Sequence, residues 1–208
     1  MSSVTIDGTE ATFAPGETLL EAIRASGGTV PTLCFDERQA PFGACRVCLV
    51  SVGGAIVPAC TTECRDGMSI DTADERARRV ARGVVELVLS ELPEAPEGHT
   101  ELAAVAEELE AGEGHWTGPV HERRHDTSHP YLVFRHELCI SCGRCVRACD
   151  EVQGTFALAA TGRGFGSNVV AGLDQGFRES ACVSCGACAD TCPTDAITEH
   201  TLLDEVLR

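Results

Sequence analysis

No run of about 18 apolar residues occurs in the 208-residue sequence, so it offers no helix of the length a bilayer core requires. The opening Met1-Ser2-Ser3-Val4-Thr5 has neither a basic region nor an apolar stretch, and no secretory leader is expected. Positive charge is scarce. Lys plus Arg number 16 against 32 Asp plus Glu, for a formal net charge of −16. A chain this acidic repels phosphate backbones, so nucleic acid is not an expected partner. The acidity does not imply disorder, because 43% hydrophobic residues is too many for a solvated acidic tail. The length suits one ordinary domain or a few small ones.

Cysteine, by contrast, is abundant, with 13 residues. Nothing directs export, so a cytoplasmic location with reduced thiols is expected, and cysteines at this density then point to metal rather than disulfides. They are also clustered, with none between Cys64 and Cys139. A disulfide scaffold would scatter them more evenly.

The strongest pattern lies near the C-terminus. Cys139-x2-Cys142-x2-Cys145-x3-Cys149 is one run, and Cys182-x2-Cys185-x2-Cys188-x3-Cys192-Pro193 is the other. This is the spacing of two-cluster bacterial ferredoxins, in which the fourth Cys of each run ligates the other cluster. Three thiolates on a tight loop reach three irons of one cubane, and the fourth, expected to start a helix on the far side, faces the neighbour. The spacing therefore assigns Cys139, Cys142, Cys145 and Cys192 to one [4Fe–4S] cluster and Cys182, Cys185, Cys188 and Cys149 to a second. Ser141, Gly143, Ser184 and Gly186 are small enough for backbone to approach inorganic sulfur. Asp150 stands where the first run would carry Pro. Zinc sites combine two ligand pairs into one tetrahedron, which these runs of four do not match.

The N-terminal group reads Cys34-x10-Cys45-x2-Cys48-x11-Cys60. It is not the plant-type spacing, but several ligands on a loop closed by one distant Cys suit a [2Fe–2S] rhomb. Gly43-Ala44 before Cys45 fits a tight loop. Cys64 competes with Cys60 for the fourth position. Cys60 is preferred, because Pro58-Ala59-Cys60 ends a predicted strand, and Cys64 is then a spare thiol.

Hydrophobic patterning predicts a hairpin over Ser3–Ile6 and Ala11–Phe13 with Asp7-Gly8 in the turn, then a helix over Thr18–Ala25 stopped by Gly27-Gly28. A second hairpin follows over Leu49–Val52 and Ile56–Pro58, with a short strand at Met68–Ile70. A long helix over Ala73–Leu92, capped by Asp71 or Thr72, carries Arg76, Arg78, Arg79 and Arg82 on a solvated or interdomain face. An acidic helix covers Glu101–Ala111. His115, His121, His125 and His129 have no cysteine beside them and are expected at the surface. Gly162-Arg-Gly-Phe-Gly166 lacks the Lys-Ser/Thr ending of a phosphate loop and is expected to be a turn in a β-insertion. The fold class is α+β, with a β-grasp [2Fe–2S] ferredoxin domain over 1–75, a helical and irregular linker over 76–130, and a bacterial-type two-[4Fe–4S] ferredoxin domain over 131–208.

Pro-Thr-Leu-Cys34 and Gly-Ala-Cys45-Arg-Val-Cys48-Leu-Val resemble the N-terminal [2Fe–2S] domain of complex I large iron–sulfur subunits. The stretch from Cys139-Ile-Ser-Cys-Gly-Arg-Cys to Asp150-Glu-Val-Gln-Gly-Thr-Phe, with Glu179-Ser-Ala-Cys-Val-Ser-Cys-Gly-Ala-Cys, is similar to the iron–sulfur segment of alpha subunits of NAD-dependent molybdenum or tungsten formate dehydrogenases. The diaphorase small subunit of NAD-reducing hydrogenases is similar too. In these relatives an acidic residue commonly follows the first run, as Asp150 does. Many members hold a further [4Fe–4S] cluster with one His and three Cys between the domains. Residues 79–116 contain no Cys, so that cluster is not expected.

Sequence and resemblance together imply an electron relay with one [2Fe–2S] and two [4Fe–4S] clusters. With every iron held by thiolates, no position is open to substrate. The resemblance implies two partners: a pterin-containing catalytic subunit that oxidises formate, expected to be a separate polypeptide, and a flavin/NAD-binding diaphorase subunit. The alternatives are a relay subunit of an NAD-reducing hydrogenase or related complex, a free ferredoxin-like carrier, or a zinc-stabilised interaction module.

Overall fold

The computed structural model describes residues 2–112, 116–121 and 125–200. These divide into two compact units. The first comprises Met1–Phe35, Pro41–Ser90 and Ala104–Thr117, and the second Asp36–Ala40, Glu91–Ala103 and Gly118–Arg208.

The first unit is built on a five-stranded sheet. Strands β1 (Ser3–Ile6) and β2 (Thr9–Thr12) form an antiparallel hairpin. Its turn holds Asp7 at φ 49° and Gly8 at φ 83°, the doubly positive geometry that Asp-Gly adopts at little cost. Strands β3 (Leu49–Val52) and β4 (Ala55–Pro58) make a second hairpin. Strand β5 (Ser69–Asp71) lies between them, parallel to β1 and antiparallel to β3, giving the order β2-β1-β5-β3-β4. Helix α1 (Leu19–Ala25) buries Leu19, Leu20, Ala22 and Ile23 in one core with Val4, Ile6, Val50 and Ile70. Each large aliphatic side chain so buried contributes about 1.5–3 kcal/mol. This is the expected β-grasp arrangement.

The α1 N-terminus is a reciprocal cap. The Glu21 amide donates to Thr18 Oγ1 at 3.3 Å, and Glu21 Oε2 accepts from the Thr18 amide at 2.7 Å. Thr18→Ala leaves the Glu21 amide without its acceptor and is expected to cost about 1 kcal/mol. An earlier urea midpoint of the far-UV signal would show it, and an unchanged midpoint would contradict it.

Helix α2 (Glu75–Glu91) starts later than the sequence suggests. Asp71 and Thr72 are otherwise engaged: the Asp71 carboxylate accepts the Ala73 amide at 2.9 Å, and Thr72 donates its amide and hydroxyl to Asp7. Asp74 caps instead, accepting from the amides of Arg76 (2.8 Å) and Ala77 (3.3 Å). Ala77, Ala81 and Val85, spaced by four, form the buried face. Two of the arginines expected on a solvated or interdomain face bind the end of another helix. Arg78 donates to the Glu108 carbonyl at 3.1 Å and Arg82 to the Leu109 carbonyl at 2.7 Å, at the C-terminal end of α3 (Glu101–Glu108). Cations there complement the helix dipole. Among the described residues no helix is long and apolar enough to cross a membrane.

In the second unit, β6 (His125–Asp126), β7 (Leu132–Arg135) and β10 (Ile197–Glu199) form a sheet with β7 central. Strands β8 (Leu158–Thr161) and β9 (Asn168–Ala171) form a separate hairpin. The glycine-rich stretch is its turn, as expected: Gly162 has φ +75°, and a Cβ there would fall 2.1 Å from the Gly166 carbonyl oxygen. Two one-turn helices, α4 (Arg144–Arg147) and α5 (Ala187–Asp190), follow the cysteine loops. Leu132, Phe134, Leu158, Phe177 and Ile197 share a core with Cys139, Cys145 and Cys188.

Candidate metal centres

In the first unit, Cys34, Cys48 and Cys60 are buried and Cys45 is half-buried. The loop that brings them together carries Gly43 at φ 67° and Arg46 at φ 57°, which turn amides inward. The Cys45 amide donates to Cys34 Sγ at 3.5 Å. The sulfurs fall into two mutually hydrogen-bonded pairs, Cys34 with Cys45 and Cys48 with Cys60. The hydrogen bond to Cys34, then burial, pushes the Cys45 thiol up. The Cys48–Cys60 bond pushes Cys48 up and pulls Cys60 down. Two adjacent pairs match what a two-iron rhomb requires, two sulfurs for each iron. Cys64 stands apart. Its amide donates to the Glu17 carbonyl at 2.8 Å, and burial, with Glu17 and Glu21 rather than another thiol nearby, pushes its own thiol up to about 11.

In the second unit the cysteines line two separate cavities. One is lined by Cys139, Cys142, Cys145 and Cys192 and is partly open to solvent. The other is lined by Cys182, Cys185, Cys188 and Cys149. Each thus takes the first three cysteines of one run and the fourth of the other. The two loops repeat one backbone conformation: Ser141 and Gly143 have φ 53° and 76°, Ser184 and Gly186 have φ 59° and 78°. These positive φ values orient amides toward sulfur. The Ser184 amide donates to Cys182 Sγ at 3.3 Å, and the Ala157 amide to Cys149 Sγ at 3.2 Å.

The thiol sets fit iron–sulfur clusters. Burial pushes Cys142 and Cys188 up to about 12 and Cys145 well above the thiol range, so these sulfurs carry charge only against a cation. Among the described residues no three His, Cys, Asp or Glu side chains converge tightly enough for a single ion; the thiols surround a space instead.

Two expectations need correction. The fourth Cys does not start a helix. The third does: Cys145 and Cys188 lie in the single turns of α4 and α5, while Cys149 sits in the π-helical Ala148–Val152 and Cys192 follows α5. The left-handed Gly143 and Gly186 start the helices one residue before Arg144 and Ala187, which fixes this phase.

The histidines are not uniformly at the surface either. His125 is exposed and His115 lies outside the described residues, but His121 and His129 are buried. His121 pairs with Glu91 at 3.0 Å and stacks on Phe165 at 4.1 Å. His129 Nδ1 accepts the amides of Tyr131 and Leu132, both at 3.1 Å, so its proton is on Nε2, 3.2 Å from Ser184 Oγ in a cysteine loop. Burial lowers its pKa and keeps the ring neutral.

A polar network that the ligand spacing does not announce surrounds Arg144, between Cys142 and Cys145. Arg144 is buried and pairs with Glu101 through two bonds of 2.6 and 3.0 Å. Its Nε donates to Thr191 Oγ1 at 3.0 Å, and Thr191 donates to Asp36 Oδ2 at 2.7 Å. Arg38 holds the Asp36 carboxyl well below the usual carboxylate range and also pairs with Asp190.

Comparison with known proteins agrees with this geometry. Residues 1–75 match the 2Fe-2S iron-sulfur cluster binding domain and residues 138–196 the 4Fe-4S dicluster domain. NADP-reducing hydrogenase subunit HndD of Solidesulfovibrio fructosivorans is 31% identical over 220 residues, covering 100% of this chain and 37% of the relative. NADPH-Fe(3+) oxidoreductase subunit alpha of Geobacter sulfurreducens is 33% identical over 171 residues, covering 79% of this chain and 20% of the relative. The chain therefore spans about a fifth to just over a third of the length of these curated relatives. A crystal structure of NAD+-reducing [NiFe]-hydrogenase in the H2-reduced state contains a chain matched with a TM-score of 0.89 and 30% identity, over 96% of this chain and 88% of that one. With one 2Fe–2S and one two-cluster 4Fe–4S domain in this order, the chain belongs to the family of iron–sulfur electron-transfer chains shared by NADH-quinone oxidoreductases, formate dehydrogenase-like proteins and NAD-reducing hydrogenases.

Proposed function

We propose that this chain is the electron-relay subunit of a multi-subunit NAD-linked oxidoreductase. In this reading Cys34, Cys45, Cys48 and Cys60 hold the [2Fe–2S] cluster. Cys139, Cys142, Cys145 and Cys192 hold one [4Fe–4S] cluster, and Cys182, Cys185, Cys188 and Cys149 the other. The observation that carries it is the three-plus-one division of the cysteines between two cavities. When bound, the clusters take up and return single electrons with little rearrangement. The chain's own contribution is to occupy every iron position with sulfur, direct amides at those sulfurs, and bury half of them, with all but one of the rest half-buried. Cys185 is the exposed exception.

The partners are a catalytic dehydrogenase subunit on one side and a flavin/NAD-binding subunit on the other. A hydrogenase is the catalytic partner best supported, because the likeness to a chain of the NAD+-reducing [NiFe]-hydrogenase runs nearly end to end in both. A pterin-containing formate dehydrogenase is the second reading, supported by 28% identity over 162 residues to the putative formate dehydrogenase YrhE of Bacillus subtilis. Native mass spectrometry of the complex pulled down through this chain tests both. A complex that reduces NAD+ with H2 supports the first, and one that does so with formate the second. A chain that purifies alone and exchanges electrons with soluble reductases overturns the relay-subunit reading in favour of a free carrier.

A further inference from the structure

His129 sits where three segments around the cavity of Cys149, Cys182, Cys185 and Cys188 meet. It is 4% exposed. Its Nδ1 accepts the Leu132 amide at 3.1 Å, and its ring packs against Phe177 with centroids 5.1 Å apart. Leu132 and Phe177 both line that cavity. The third contact is Ser184 Oγ, 3.2 Å from Nε2. Ser184 lies between Val183 and Cys185, which line the same cavity. Two amides fill Nδ1, so the ring proton is on Nε2; the histidine donates and the serine accepts. The turn that carries His129 is itself anchored. Asp126 Oδ2 accepts the Phe177 amide at 2.8 Å, and Ser128 Oγ accepts the Arg178 amide at 3.1 Å. His129 is therefore a fixed strut rather than a mobile surface group.

The loop at its tip needs holding. Val183, Ser184 and Cys185 are all exposed. Ser184 has φ 59°, a left-handed conformation that costs a residue other than glycine about as much as one hydrogen bond returns. That conformation aims the Ser184 amide at Cys182 Sγ, 3.3 Å away. A reduced cluster carries one more negative charge than its oxidised form, so an amide bonded to a ligand sulfur favours reduction. Ser141, the matching residue of the other run, is left-handed too, at φ 53°. Its hydroxyl donates to the Ser167 carbonyl at 3.5 Å instead. The two loops are tied by different partners, and only the one with Ser184 answers to His129.

We propose that His129 is a positioning residue for the cubane on Cys182, Cys185, Cys188 and Cys149. By holding Ser184 it keeps the Ser184 amide on Cys182 Sγ and so holds up the reduction potential of this cluster. This rests on the cluster assignment proposed above. The test is an EPR-monitored redox titration of the full chain prepared without oxygen. The step that disappears in Cys185→Ala identifies the cubane concerned. His129→Asn keeps a side-chain oxygen for the Tyr131 and Leu132 amides but is too short to reach Ser184. In this variant that step should fall, with an at least threefold lower reduced-to-oxidised ratio at fixed potential, or about 28 mV at about 59 mV per tenfold for one electron. Ser184→Ala keeps the amide and removes only the acceptor, and it should lower the same step. The double variant should fall no further than the larger single effect, because both changes cut one bond. The step of the other cubane should stay in place throughout. A single variant without the downward shift, an equal shift of the other cubane, or additive shifts in the double variant overturns the inference; additive shifts are what two independent losses of rigidity give. Should His129→Asn lose this cubane, Ser184→Ala decides alone: a downward shift supports the inference, and any other result overturns it. A wild-type chain with fewer than two cubanes overturns the underlying assignment, and the inference with it.

Discussion

Cys48→Ser is expected to abolish the EPR signal of the binuclear cluster, leave both cubane signals in place, and lower the iron content from about ten atoms to about eight per chain. The expectation follows from the pairing of sulfurs in the first unit. Cys48 is 2% exposed and hydrogen-bonded to Cys60, so its removal leaves one of the two iron positions with a single thiolate. Cys60→Ser should give the same loss. Cys64→Ser should not, although Cys64 is only three residues away along the chain. Its thiol is shaped by burial and by Glu17 and Glu21, not by another cysteine. A Cys64→Ser chain that loses the binuclear signal, beside a Cys60→Ser chain that keeps it, would reverse the assignment.

Why Cys60 could be preferred on sequence, while the neighbourhood of Arg144 could not be foreseen, is a matter of range. The Asp7-Gly8 turn, the Thr18-to-Glu21 cap and the cysteine loops are decided within a few residues, by backbone conformation and by side chains that reach only three or four positions. These were legible. The α2 cap is not fixed by local sequence, because Asp71 and Thr72 are equally good capping residues in isolation. What removes them from the competition is β5 and the distant Asp7, 65 residues from Thr72. The burial of His129 depends on Phe177, against which its ring packs at 5.1 Å, and no local pattern announces that. The Asp36–Thr191 bond joins residues 155 apart. One signal did exist: the near-repeat of the cysteine runs breaks at Arg144 against Ala187. A charge in one half of a duplicated motif, where the other half has a methyl group, marks a site where the halves have been made unequal.

The same duplication makes the exchange of the fourth cysteines testable. Cys192→Ala is expected to eliminate the same cubane as Cys142→Ala, and Cys149→Ala the same one as Cys185→Ala, each time leaving the second cubane measurable at its own potential. A reading by proximity along the chain predicts the reverse, since Cys192 is only four residues from Cys188. The geometry opposes that reading. After Gly186, α5 turns once and carries the chain away from its own loop. Cys192 then lines a cavity with Phe134, Val169 and Ile197, where its sulfur lies 3.7 Å from Thr194 Oγ1. On the other side, Cys149 accepts the Ala157 amide and lines the cavity of Cys182 and Cys185. Loss of different cubanes in Cys192→Ala and Cys142→Ala would mean that each run closes on itself. The two cavities would then no longer be tied together by their own ligands.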